Sequence, residues 1–243
     1  FGSQISCERF GLLFHRPIDG GVTEAKCWSV MGRPGKALKP GAIIVAGGTK
    51  LEVTQREGMF AHVRSPEPIW GIMQREGELP LPPYIARPEG PGESDNEQYQ
   101  SLFARDLGAV AAPTASLHFT PRVVAELEQR GVRKAELVLH VGPGTFLPVR
   151  PENSEDIREH DMHTEEFEVP EETRIAIAQT RERGGRVIAV GTTAARALET
   201  WGKTGEACGE SNLFIYPGYE FAVVDGIVTN FHLPGSTLLM LVS

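Results

Sequence analysis

The chain has 243 residues, 40% hydrophobic and 23% charged, with a net charge of −8. That length holds one large domain or two ordinary ones of soluble globular composition. The apolar runs are too short to cross a bilayer, and the acidic total argues against non-specific nucleic-acid binding.

Residues 1–80 read as all-β. Short apolar segments (Ile5–Leu13, Lys26–Val30, Ala42–Ala46, Leu51–Thr54, Met59–Val63) are separated by Pro34-Gly35, Pro40-Gly41 and Gly47-Gly48. This spacing predicts a small β-barrel or sandwich, with no competing helical periodicity. These residues carry 10 Lys+Arg against 8 Asp+Glu, whereas residues 81–243 carry 14 against 24. A polyanion would therefore need a local patch. His15 and His62 are read as surface or packing residues. Three widely spaced cysteines, Cys7, Cys27 and Cys208, form no CxxC. They exclude a zinc ribbon or iron–sulfur signature and suit a reducing cytoplasm, the expected location. No signal peptide is recognisable, and the ends FGSQIS and LLMLVS suggest a piece of a longer chain.

Residues 79–93, LPLPPYIARPEGPGE, are an extended proline-rich connector and the predicted boundary between domains 1–80 and 81–243. Asp95–Arg105 reads as a short helix. From Gly108 the pattern becomes α/β, with a mixed sheet and helix cover. From Thr114 the residues alternate: Thr114, Ser116, His118 and Thr120 on one face, Ala115, Leu117 and Phe119 on the other. The period of two predicts a strand. Its polar row beside alanines suits a flat polar ligand such as a sugar or base; an edge strand with a wet face gives the same pattern.

Thr120-Pro121 starts a helix to Arg130, with Val124 and Leu127 inward and Gly131 ending it. Then come strands Glu136–Val141 and Thr164–Val169 and a helix over Pro170–Arg183, with Ile175, Ile177 and Ala178 inward. Strand Arg186–Val190 leads into a helix through Trp201. Strands are predicted at Leu213–Tyr216, Phe221–Val224 and Ile227–Thr229, and a last helix from Ser236.

Four loops carry glycine, hydroxyl or aromatic residues at strand ends, where ligands of open α/β sheets collect. Gly142, Gly144 and Thr145 follow His140. Gly191, Thr192 and Thr193 open a helix whose free N–H groups and dipole suit an anion, with Arg196 one turn on. Tyr216 and Tyr219 flank a tight turn and suit stacking on a base. Asn230, Phe231 and His232 precede the last helix. Each loop alone is an ordinary turn; together they predict a site. His160, His163 and Glu165 spell H-x-x-H-x-E, which is not the HExxH of a zinc helix. A metal cluster there is the lesser reading, and a carboxylate orienting His163 on a strand face the favoured one. Neither GxGxxG, GxxxxGK[ST] nor GxSxG occurs.

AAPTASLHFT, LHVGPGTFLPV, HDMHTEEF, RVIAVGTTAARALE, FIYPGYEF and TNFHLPGSTLLMLVS, in this order, closely resemble the S-adenosylmethionine:tRNA ribosyltransferase-isomerase family of queuosine synthesis. The match runs from about Pro82 to Ser243, and residues 1–80 fit the family's inserted barrel less specifically. The resemblance implies an α/β domain plus a small all-β barrel domain. It implies transfer and isomerisation of the ribosyl group of S-adenosylmethionine onto 7-aminomethyl-7-deazaguanine at the wobble position of a tRNA anticodon stem-loop, giving epoxyqueuosine, adenine and methionine. S-adenosylmethionine is then a consumed substrate, with no cofactor, metal or membrane partner. On the matching positions, proton transfer is expected from His118, His163 and His232, with Glu165 assisting. Substrate contacts are expected from Thr114, Ser116, Phe119, His140, Gly142, Gly144, Thr145, Gly191, Thr192, Thr193, Arg196, Tyr216, Tyr219, Asn230 and Phe231. The chain departs from the family's usual residues at Ala109, Ser116, Pro143, Ala194 and Gly235. The rivals are a catalytically impaired tRNA- or nucleoside-binding homologue and a metal-dependent hydrolase using His160, His163 and Glu165.

Overall fold

The computed structural model describes residues 4–7, 10–82, 85, 87–88, 90–105, 109, 111–140, 164–232 and 237–243. It divides into two compact units, residues 1–97 with 107–111 and residues 98–106 with 112–243. Among the described residues no helix is long and apolar enough to cross a membrane.

The first unit is built on six strands: β1 (Gln4–Cys7), β2 (Phe10–Pro17), β3 (Cys27–Arg33), β4 (Ile43–Ala46), β5 (Thr49–Glu57) and β6 (Phe60–Arg64). They form one antiparallel sheet in the order β1-β2-β3-β6-β5-β4. The period-two alternation is plain in β5, where Leu51 and Val53 are buried while Lys50, Glu52 and Thr54 face solvent. Gly47 and Gly48, with φ of +54° and +80°, make the two-residue turn joining β4 to β5. Leu12, Phe14, Trp28, Val30, Leu51, Val53 and Val63 build the core. Among the described residues β1 pairs only with β2 and β4 only with β5, so the sheet has two edges. The region is not all-β. Helix α1 (Ile69–Glu76) lies between Pro68 and Gly77 and completes the core with Ile69, Ile72 and Met73. Their i, i+3, i+4 spacing is a helical stripe only two turns long. Helix α2 (Glu93–Gln98) is shorter than the Asp95–Arg105 helix expected. The chain turns at Ser101, which accepts from Phe103 N–H through Oγ and from Ala104 N–H through its carbonyl.

The second unit holds α3 (Pro121–Gln129), β7 (Val138–His140), β8 (Glu165–Glu168), α4 (Glu171–Glu182), β9 (Ile188–Val190), α5 (Thr192–Thr204), β10 (Cys208–Ser211), β11 (Gly226–Val228) and α6 (Thr237–Leu241). Strands β10-β8-β7 form an antiparallel sheet, and β11 pairs with β9 in parallel. Phe167, Val169, Ala189, Ala195, Ala197, Leu198, Val223 and Val224 form the core between them.

Three expectations fail here. Thr114–His118 is a 3₁₀ turn and not a strand. Ser116 Oγ donates to the Pro113 carbonyl at 2.7 Å, and Phe119 N–H returns to the Ser116 carbonyl, so local i→i+3 bonds replace a ladder. On α4, Ile175 and Ala178 are exposed. The inward face is Thr173 and Ile177, with Thr173 donating to the Glu136 carbonyl. Leu213–Tyr216 and Phe221–Val224 are not strands, whereas Cys208–Ser211 is. The N–H groups of Ala222, Val223 and Val224 go to the Glu199 carboxylate, at 2.8, 2.9 and 2.8 Å, and not to a neighbouring strand.

Candidate functional site

Strands β9 and β11 run parallel with Val190 opposite Val228, so their carboxyl ends open together. Gly191 follows β9 at φ +97°, the left-handed region that favours glycine. Its N–H donates to the Val228 carbonyl at 2.9 Å, holding the two strand ends side by side. A Cβ at Gly191 would lie 3.8 Å from that of Ala115, so the 3₁₀ turn packs beside this loop. Helix α5 starts immediately, with Thr192 and Thr193 half-buried in its first turn. The first N–H groups of a helix of this length point outward with the positive end of its dipole.

The chain leaving β11 reaches the same turn. Asn230 Nδ2 donates to Thr114 Oγ1 at 2.9 Å, and Asn230 Oδ1 lies 2.8 Å from His118 Nε2. Two residues on, His232 Nε2 lies 3.0 Å from Thr229 Oγ1. Burial holds the His232 imidazole below its usual value. Phe231, between the two, is fully exposed. Thus Thr114, His118, Gly191, Thr192, Thr193, Asn230, Phe231 and His232 lie on three segments tied together at the ends of β9 and β11. The arrangement offers an imidazole, hydroxyls, an amide, a helix N-terminus and an unstacked aromatic ring, the equipment for proton transfer beside a polar ligand. Thr229, which holds His232, opens the same loop of the sequence but is not among the expected site contacts. Its signal is the Thr-x-x-His spacing that lets a hydroxyl fold back onto the ring.

Other expected site residues have partners of their own within the protein. Ser116 is buried, and its Oγ accepts from the Ser101 hydroxyl at 2.7 Å. Phe119 packs edge-on against Phe103. His140 lies in β7 opposite Glu166, in the other sheet. Arg196, one turn into α5, has partners beyond its own helix. It is buried, ion-pairs with Glu165 at 2.9 Å, and donates to the carbonyls of Leu213 and Ser211 at 2.8 and 3.3 Å. Burial pushes the Glu165 carboxyl up against the pull of that guanidinium. Tyr216 packs against Phe214. Tyr219 donates to Glu199 at 3.2 Å, stacks edge-on to Phe221 and lies 4.0 Å under Lys203. Burial and the Glu199 charge push its phenol up. His163, Gly142, Gly144, Thr145 and His160 lie outside the described residues. Among the described residues no three His, Cys, Asp or Glu side chains are grouped to hold a metal ion.

Residues 3–243 match the family model described as queuosine biosynthesis protein. The chain is similar to the S-adenosylmethionine:tRNA ribosyltransferase-isomerase of Pelobacter propionicus, with 49% identity over 91% of this chain and 65% of the relative. It is similar to the protein of the same name from Polynucleobacter necessarius, with 50% identity over 90% of this chain and 63% of the relative. The chain thus spans less than two thirds of the length of these relatives. A crystal structure of S-adenosylmethionine tRNA ribosyltransferase from Thermotoga maritima matches at 29% identity over 99% of this chain and 66% of that one. Its TM-score is 0.42, too low to bear on the fold.

Proposed function

The chain belongs to the queuosine biosynthesis protein family, and from that premise we propose that it carries S-adenosylmethionine:tRNA ribosyltransferase-isomerase activity in the cytoplasm. The observation that carries the reading is the hydrogen-bonded Thr114–Asn230–His118 chain at the carboxyl ends of β9 and β11, in a protein whose relatives bear that name.

The sulfonium of S-adenosylmethionine acidifies the ribose 5′ carbon. A base takes a proton there, and the aminomethyl group of 7-aminomethyl-7-deazaguanine in the anticodon stem-loop attacks the ribosyl carbon. The adenine glycosidic bond breaks, the ring recloses as an epoxycyclopentanediol, and methionine leaves. His118 and His232 are assigned these transfers, for which an imidazole is suited. Thr114 and the α5 N-terminus at Thr192 and Thr193 hold ribose hydroxyls and the methionine carboxylate. Phe231 stacks on a base. S-adenosylmethionine is consumed, so no resident cofactor is required.

The test is adenine release from S-adenosylmethionine in the presence of a modified anticodon stem-loop, followed by chromatography. Stoichiometric, stem-loop-dependent release is expected. Stem-loop binding with no release would instead leave a binding homologue.

A further inference from the structure

We propose that Asn230 is a positioning residue that holds His118 in a single tautomer, so that Nδ1 is the atom that takes the substrate proton. The proposal deepens the reading above and rests on it for its catalytic part. A carboxamide has two unlike ends. Its nitrogen end is spent on Thr114 Oγ1 at 2.9 Å, and its oxygen end faces His118 Nε2 at 2.8 Å. With the amide in this orientation its oxygen accepts, and Nε2 carries the hydrogen. A neutral imidazole has one N–H, and the lone pair is therefore on Nδ1.

The ring needs this help. His118 is an exposed side chain at the end of a 3₁₀ turn, where packing does not fix its orientation. Asn230 is half-buried and arrives from a segment 112 residues away in sequence, just after β11. It grips the turn twice, at Thr114 and at His118, the first and last residues of the 3₁₀ turn. An amide orients the ring without setting a negative charge beside it. A carboxylate would do the same but would favour the imidazolium, which has no lone pair to offer. The chemistry of a neutral base thus selects Asn over Asp at position 230.

The test is the ¹⁵N–¹H long-range correlation pattern of the His118 ring in the whole chain, recorded at a pH where the imidazole is neutral. The wild-type ring is expected as the pure Nε2–H tautomer. Asn230→Ala is expected to show exchange between both tautomers, and Asn230→Asp to restore the Nε2–H form. In parallel, Asn230→Ala is expected to lower kcat for adenine release by roughly 10–100-fold, part of what a general base supplies, with KM for S-adenosylmethionine changed less than about twofold. A wild-type ring with mixed or Nδ1–H signals overturns the proposal, as does an Asn230→Ala ring that stays unmixed. Should Asn230→Ala fail to fold, the wild-type and Asn230→Asp spectra decide the matter. Should the wild-type chain release no adenine, the activity reading fails while the spectra still settle what Asn230 does.

Discussion

The two compact units differ in what holds them. The first has a large apolar core, from Leu12 and Phe14 in β2 to Ile69 and Ile72 in α1, and its buried carboxylate, Asp95 on α2, is paired with Arg87. The second has an alanine-rich core with charges set inside it: Glu165, Arg196 and the fully buried Glu199. Hydrophobic burial is non-directional and yields stability wherever shapes fit. A buried charge must find partners, and so it fixes where particular loops go. Both anchors of the second unit lie on α5. Arg196 ties it to β8 and to the carbonyls of Ser211 and Leu213. Glu199 gathers three backbone N–H groups and the Tyr219 hydroxyl just ahead of β11. The helix whose first turn opens at the site thus also sets the path of the strand that delivers Asn230 and His232.

The largest expected effect tests that contrast from the polar side. Arg196→Met leaves the Glu165 carboxylate buried and unpaired. It should lower unfolding free energy by about 3–5 kcal/mol in urea titration, with Arg196→Met/Glu165→Leu recovering part of the loss. A loss below about 1 kcal/mol would mean that the buried charges are incidental. On the apolar side, Leu51→Ala should cost about 2–5 kcal/mol by leaving a cavity under β5. No second substitution should be able to restore it through charge, and a loss under about 1 kcal/mol would show that the sheet core is loosely packed.

The smallest effect belongs to His232. Its folded-state value lies below the ordinary one because of burial, so the unfolded chain binds the proton more readily. Its contribution is full above about pH 6.5, the ordinary histidine value, and is lost as pH falls through the lowered value. His232→Gln should therefore show a shallower loss of stability below about pH 6.5 than the parent protein. Parallel slopes would place the ring in water.

The first unit was largely legible because its signals are local: alternation at Leu51 and Val53, and a glycine pair marking the turn before Thr49. Helix α1 escaped because three apolar residues between Pro68 and Gly77 are too few to establish a period. In the second unit, apolar runs misled wherever a distant charge claimed the backbone. Phe221–Val224 has the composition of a strand, but the N–H groups of Ala222, Val223 and Val224 belong to Glu199, more than 20 residues earlier. Conversely, CGES at Cys208–Ser211 has no β-branched or aromatic residue, yet it pairs with β8 and satisfies backbone groups on the side of β8 away from β7. The alternation at Thr114–Thr120 was real in sequence. Pro113 and Pro121 bracket it, however, and the short polar side chains satisfied the backbone locally. At the site, the residue types of His118, Asn230 and His232 were readable as candidates. That Asn230 bridges Thr114 and His118 was not, because no local pattern records a contact across more than a hundred residues.

The decisive measurement is single-turnover adenine release by His118→Ala beside the parent chain, with S-adenosylmethionine binding measured on both. Release slower by roughly 10²–10⁴-fold, the usual worth of a general base, with binding retained, is the result expected of an imidazole at the ends of β9 and β11 that moves the ribosyl proton. Release at the parental rate would contradict it.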